Sequence, residues 1–196
     1  MMVMKIKDFI SEHEAQFFRD YAHYGMSNPS RQIQLATYTK QEVQRRTQEH
    51  NVDDIEEKKR VDRLYYSINS PFHLFHRVRQ IAEKNWKVPI TFRADSYAHI
   101  MHYKKDSEGL KWHTDGNMGW VSASINITPD YAYEGGNFQI ESDSKFTCKY
   151  REIVLYDRMV RHRVTPLTGG EKMSLVLWLP KVNQEELNKG FQWKYE

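Results

Sequence analysis

The chain is poor in cysteine: Cys148 is its only one in 196 residues. No disulfide can form within it, and a cysteine-built zinc site is excluded. A reducing compartment, the cytoplasm, is the expectation. Long apolar runs are missing too. Mean hydropathy is −0.80, and the opening MMVMKIKDFI holds no apolar stretch long enough for a signal peptide or a membrane span. There is no Pro/Gly/Ser-rich linker and no internal repeat, so residues 1–196 read as a single domain. Nor is there a surplus of one charge. Lys and Arg number 29 against 26 Asp and Glu, and the net charge of +3 is thin for a nucleic-acid-binding face. What the chain does have is 39% hydrophobic residues with 13% aromatics, enough to build a core.

The N-terminal part, about 1–90, carries two helix patterns. In DFISEHEAQFFRDYAHYG, Ser11 followed by Glu14 forms a capping box, with Phe9 ahead of it as a hydrophobic staple. Phe17, Phe18, Tyr21 and Tyr24 follow at roughly helical spacing, and Gly25 reads as the stop. In SPFHLFHRVRQIAEKNW, Ser70 reads as cap, Pro71 as first helical residue, and Phe72, Leu74, Phe75, Val78 and Ile81 as the apolar stripe. Between them the polar stretch from Thr39 to Ile68 reads as a solvated loop or exposed helix, with a lid as the alternative. His73 and His76 read as surface residues.

From about Thr91 the hydrophobic period becomes two, in short runs separated by turn signals. The fold class expected is α+β, mainly β: a double-sheet jelly roll over about 91–180, with the N-terminal helices packed on one sheet. The alternation separates two faces. Val121, Ala123, Ile125 and Ile127 share one side, and Ser122, Ser124 and Asn126 share the other with Trp120. Met173, Leu175, Leu177 and Leu179 oppose Lys172, Ser174, Val176 and Trp178. Tyr97, His99, Met101 and Tyr103 share a face. One uniformly apolar face and one polar-aromatic face fit a sheet that packs on helices on one side and lines a pocket on the other.

The pair His113 and Asp115 in KWHTDGNM sits two residues apart, so in extended backbone both side chains reach the same way. Imidazole plus carboxylate suits a divalent ion such as iron(II). His162 is the best third ligand. Two histidines and one carboxylate leave three coordination positions open, as an oxygen-activating non-haem iron centre requires. Alone, an HxD among 9 histidines is weak. Lys172, ten residues after His162 and facing the same pocket, strengthens it, since a buried lysine needs an anion. A dicarboxylate co-substrate would supply one, with Ser174 and Tyr103 adding hydrogen bonds. Gly135-Gly136 read as a tight turn, Gly116 as the point where the chain turns away, and Arg163 as pointing away from the metal.

In order and spacing, MHY with Tyr103, HTD with His113 and Asp115, YEGGNFQI, and HRVTPLTGGEKMSLVLW resemble the catalytic core of iron(II)/2-oxoglutarate-dependent dioxygenases. The segment GEKMSLVLW and the opening KIKDFISEHEAQFF are most similar to the prolyl 4-hydroxylase branch, although that branch often has an aromatic where Met173 stands. Residues from about Met26 to Thr91 match poorly. The resemblance implies a double-stranded β-helix core. It implies iron held by His113, Asp115 and His162, and 2-oxoglutarate held by Lys172, with Tyr103, Ser174, Asn126 and Trp178 as further contacts. It implies O2 as co-substrate and admits ascorbate. The reaction implied is hydroxylation of peptidyl proline, or alternatively of a free amino acid or other small molecule. No membrane partner and no nucleic-acid partner is expected; a nucleic-acid demethylase would show a second arginine in the C-terminal motif. Two other classes stand beside it: a zinc hydrolase on the same three ligands with Glu134 or Glu171 as base, and a binding module with a degenerate site.

Overall fold

A computed structural model of the chain describes residues 2–27, 34–35, 62–67, 71–87, 90, 97–116, 120–143 and 145–179. The two-residue alternation of KMSLVLWL makes it the spine of the molecule. This strand, β12 (Lys172–Leu179), lies at the centre of a seven-stranded antiparallel sheet. Its neighbours are β4 (Tyr97–Tyr103) and β6 (Val121–Asn126). Beyond β6 lie β9 (Ile153–Asp157) and β1 (Val3–Ile6). Beyond β4 lie β3 (Asp62–Ser67) and β2 (Gln34–Leu35). A second sheet has β10 (His162–Val164) between β5 (Leu110–His113) and β8 (Phe138–Ile140). A two-stranded ribbon pairs β7 (Tyr133–Gly135) with β11 (Leu167–Gly170).

The apolar face of the large sheet is covered by helices. Val121, Ala123, Ile125, Met173, Leu175, Leu177 and Leu179 join Ala15, Phe18 and Ala22 of α1 (Glu12–Ser27) and Leu74, Phe75, Val78 and Ala82 of α2 (Leu74–Trp86) in one buried cluster. The opposite face meets the second sheet. Phe138 and Ile140 of β8 pack on Val154 and Tyr156 of β9, and Val164 of β10 packs with Met101 and Tyr103 of β4. The result is mostly β, with antiparallel sheets and two helices among the described residues. None of those helices is long and apolar enough to cross a membrane.

The capping box forms as expected. The Glu14 amide donates to Ser11 Oγ at 3.1 Å and the Ser11 amide to Glu14 Oε2 at 2.7 Å. Arg77 of α2 donates to both Glu14 and the Phe9 carbonyl and lies 4.7 Å over the Phe9 ring, tying the two helices together.

Several sequence expectations are corrected. Helix α1 runs through Gly25 to Ser27; a lone glycine weakens a helix by about 1 kcal/mol without ending it. Helix α2 begins at Leu74, not Pro71, because Phe72 (φ 71°) and His73 (φ 49°) are left-handed and cannot propagate a right-handed turn; Ser70 lies outside the described residues. Asp62–Ser67, read as loop or exposed helix, is a strand paired along β4, while the rest of that polar stretch, with the lid reading, lies outside the described residues. Strand alternation puts Trp120 on the polar face. It packs against the helix-side core with the Arg158 guanidinium 4.9 Å over its ring, because it stands before the first residue of β6, where the strand alternation has not begun.

Candidate metal centre

Strand register brings the two histidines together. His162 opens β10 and pairs directly across from His113, the last residue of β5. In an antiparallel pair, directly opposed residues present neighbouring side chains. The rings are 4.2 Å apart between centroids. Asp115 lies just past the end of β5, its amide donating to the Arg158 carbonyl at 3.1 Å. One ligand atom from each of His113, Asp115 and His162 lies within 4.8 Å of the other two.

The ring orientations are set by the backbone two residues earlier. His113 Nδ1 is 2.7 Å from the Lys111 carbonyl and His162 Nδ1 is 3.0 Å from the Val160 carbonyl. A carbonyl only accepts, so each Nδ1 carries the proton and each Nε2 is left with its lone pair. This arrangement orients metal-binding histidines. Burial, the largest influence, lowers the His162 pKa against the pull of Asp115, which favours the neutral, ligating form. Asp115 Oδ1 is 3.8 Å from His162 Nε2, and Asp115 Oδ2 is buried with no hydrogen-bond partner. A buried carboxylate oxygen without a donor is costly. A divalent cation would satisfy it, and the donor set of two imidazole nitrogens and a carboxylate fits iron(II).

These three residues line a cavity of about 230 Å³, several times the roughly 30 Å³ of one water. Lys172, Tyr103, Ser174 and Trp178 line it too. Lys172 is 2% exposed and stands opposite Tyr103 in the β4–β12 register. Its ammonium donates to the Gly136 carbonyl at 2.5 Å and sits 5.3 Å over the Tyr133 ring. Burial pushes its pKa down to about 8, with Cys148 and Asp130 pulling the other way. Neither the Gly136 carbonyl nor the Tyr133 ring carries a formal charge that neutralises the ammonium, so the cavity holds a cation prepared for an anion.

Asn126 does not line the cavity. Its amide nitrogen donates to the Tyr133 hydroxyl at 2.9 Å and its oxygen accepts from the Thr128 amide at 3.1 Å. Arg163 points elsewhere: its Nε donates to Gln139 at 2.9 Å and its guanidinium covers Trp112. His73 and His76 are exposed on α2's approach and surface. Glu134 and Glu171, the bases a hydrolase would need, are exposed and outside the cavity lining; Glu171 instead meets His102 Nε2 at 2.8 Å.

The Gly135-Gly136 turn is tied to this site. Both residues are left-handed (φ 77° and 58°), and a Cβ on Gly135 would lie 2.2 Å from the Pro166 carbonyl oxygen. Gly135→Ala is expected to lower stability by about 2–3 kcal/mol from backbone strain plus the clash. It should also displace the Gly136 carbonyl from Lys172. Thermal unfolding of the purified variant measures the loss; a drop under 0.5 kcal/mol would mean that the turn is not constrained.

Sequence reasoning passed over Tyr156, Phe138 and Cys148, which also line the cavity. For Tyr156 a signal existed: in IVLYD the period of two sets Val154 and Tyr156 against Ile153 and Leu155, and the structure separates them into different clusters. Cys148 lies outside any strand, so no alternation could have placed it. Its Sγ donates to the Glu152 carbonyl at 3.3 Å, and burial raises its pKa to about 11, so it is an inert thiol.

No family model matches the chain. In sequence it is similar to a PKHD-type hydroxylase of Alteromonas mediterranea, 29% identical over 69 residues, which is 34% of this chain and 30% of that protein. The chain spans less than a third of the length of the curated relatives it matches. In fold it is similar to the viral collagen prolyl hydroxylase of Paramecium bursaria Chlorella virus-1, solved as a 2-oxoglutarate complex: TM-score 0.62, 12% identity, covering 93% of this chain and 97% of that one. It is likewise similar to a prolyl hydroxylase of Trichoplax adhaerens, solved with a peptide fragment of a hypoxia inducible factor: TM-score 0.61, 17% identity, covering 97% and 87%. The likeness first met in short motifs therefore extends, at the level of fold, over nearly the whole chain.

Proposed function

We propose that the chain is an iron(II)/2-oxoglutarate-dependent hydroxylase built on a double-stranded β-helix, acting on peptidyl proline. The observation that carries the reading is that one cavity holds both a His113–Asp115–His162 cluster and the buried cation of Lys172. No simple binding module needs both.

Each residue then has a role. His113, Asp115 and His162 would hold the iron, with the Lys111 and Val160 carbonyls fixing the two imidazole tautomers. Lys172 would pair with the far carboxylate of 2-oxoglutarate, with Tyr103 and Ser174 as hydrogen-bonding neighbours. The iron, when bound, supplies oxidative decarboxylation of the co-substrate with O2 and oxidation of a substrate C–H bond. The apolar wall of Met101, Phe138, Val164 and Val176 keeps water out and strengthens the electrostatic pairings inside. A peptide is favoured because the Trichoplax prolyl hydroxylase of the same fold was solved with one. A free amino acid or other small molecule is the second reading. The zinc-hydrolase alternative loses support because neither candidate base reaches the cavity. The lone buried thiol suits a cytoplasmic setting.

Anaerobic addition of iron(II) and 2-oxoglutarate is expected to produce a weak visible charge-transfer band. Admitting oxygen should release succinate, faster with proline-containing peptides than with free proline. Bound metal with neither band nor succinate would overturn the hydroxylase reading. Stimulation by free amino acids alone would replace the peptide with a small-molecule substrate.

A further inference from the structure

Tyr156 has no place in the roles above, yet it is the largest fully buried side chain among the described residues, and it touches the metal cluster. Its hydroxyl is 3.3 Å from His162 Nε2, the nitrogen that faces the cavity. Its ring sits 4.7 Å from the His162 ring and 5.5 Å from Phe138, which itself stacks on His162 at 5.5 Å. The phenol is therefore held in place by two neighbouring rings.

The proton positions around it follow from the donors. The Val160 carbonyl accepts from His162 Nδ1, so Nε2 has only a lone pair. In the metal-free protein the phenol can donate to that lone pair, with the Asp115 carboxylate competing for the same proton. A metal bound by His162 Nε2 takes the same lone pair, and the phenol loses its acceptor. The Asp115 carboxylate is the neighbouring acceptor: it is the strongest charge acting on the Tyr156 hydroxyl and lies close enough to bias its proton. Its Oδ2 is buried with no partner. The fully buried hydroxyl of Ser122 also acts on the phenol and has no other hydrogen-bond partner. Ser122 can donate to the phenol oxygen once the phenol donates elsewhere.

We propose that Tyr156 is a positioning residue for the metal-binding carboxylate: metal loading switches its O–H from His162 Nε2 to the free oxygen of Asp115. The switch exchanges a long neutral hydrogen bond for a charge-assisted one, which is the stronger type. It also holds the second carboxylate oxygen off the metal, so that Asp115 binds through one oxygen only and the remaining coordination positions stay open. Ser122 completes the chain by donating to the phenol. This assignment rests on the metal-site reading of His113, Asp115 and His162, and deepens it.

The test uses the purified chain, metal alone and no turnover. Cobalt(II), followed through its visible d–d bands, should bind the wild type with one set of bands. Tyr156→Phe should bind it about 10-fold more weakly and with shifted bands, because an outer-shell partner of a ligand typically carries a factor of 10–100 in affinity. A second measurement is independent of affinity. Spectroscopically silent zinc(II) should produce a near-ultraviolet tyrosine difference spectrum in the wild type as the phenol changes its acceptor. That signal should be absent in Tyr156→Phe and reduced in Ser122→Ala. Wild type that binds cobalt while Tyr156→Phe matches it in affinity and bands would overturn the inference and leave the metal site standing. So would a zinc-induced tyrosine signal that survives in Tyr156→Phe. Failure of the wild type to bind cobalt at all would overturn the metal site and this inference with it.

Discussion

Lys172→Met is expected to give a folded protein that needs far more 2-oxoglutarate and whose stability no longer rises in alkali. Both outcomes come from the same buried ammonium. The folded pKa of about 8 lies below the ordinary 10.5, so between these values the unfolded chain binds more protons than the folded one. Stability then increases with pH across that window. The cost of burying the charge is fully present below pH 8 and gone above 10.5. At 1.36 kcal/mol per unit this amounts to about 3 kcal/mol. Wild type measured by urea unfolding at pH 7.5 and 10.5 should gain a large part of that, after other groups are subtracted by comparison with Lys172→Met. The variant lacks the titrating group and should show no such gain. Its stability at neutral pH also reflects the Gly136 carbonyl, which loses its donor, so the pH difference is the cleaner measurement. On the functional side, the 2-oxoglutarate concentration needed for half-maximal succinate release should rise at least 100-fold, since a desolvated charge pair is lost. Equal pH profiles for the two proteins would mean that Lys172 is not a buried cation. An unchanged co-substrate requirement would move the distal carboxylate to another residue.

Asp115→Ala should abolish metal-dependent stabilisation without unfolding the metal-free protein. At a metal concentration 100 times Kd the wild type should gain about 2.7 kcal/mol. For a chain of this size that is roughly 5–10 °C in Tm. In the metal-free state the substitution removes a carboxylate oxygen that is buried without a partner, so the apo Tm should stay level or rise. Succinate release should fall to background. His162→Ala should give the same loss of metal response but a lower apo Tm, because His162 stacks on Phe138 and packs against Tyr156, and its removal leaves a void. A metal-induced Tm shift of wild-type size in Asp115→Ala would remove that residue from the ligand set.

The two faces of β12 are legible in the sequence alone. Met173, Leu175, Leu177 and Leu179 enter the helix-side core, and Lys172, Ser174, Val176 and Trp178 line the cavity. The capping box of Ser11 and Glu14 was legible for the same reason. In each case a local geometric period or a fixed three-residue offset acts within one element. Trp120 and Gly25 went astray at element ends, where such a period no longer constrains the side chain or the helix. The strand at Asp62–Ser67 was hidden because its polar, mixed-charge sequence shows no clean alternation, and pairing with β4 decided its conformation.

The sequence by itself determined the chemistry on offer: a histidine and an aspartate two residues apart, a later histidine, and a lysine on a strand's inner face. Only the tertiary structure decided that these meet. The 47-residue separation of Asp115 and His162 is closed by a cross-strand register, His162 against His113, fixed by the whole second sheet and not by either segment alone. The same holds for the Gly136 carbonyl on Lys172 and the Tyr156 hydroxyl at His162. Backbone periodicity is a local property and can be read along the chain. The distance between two side chains on different strands depends on how every strand between them is paired, and that is settled only when the sheets close on one another.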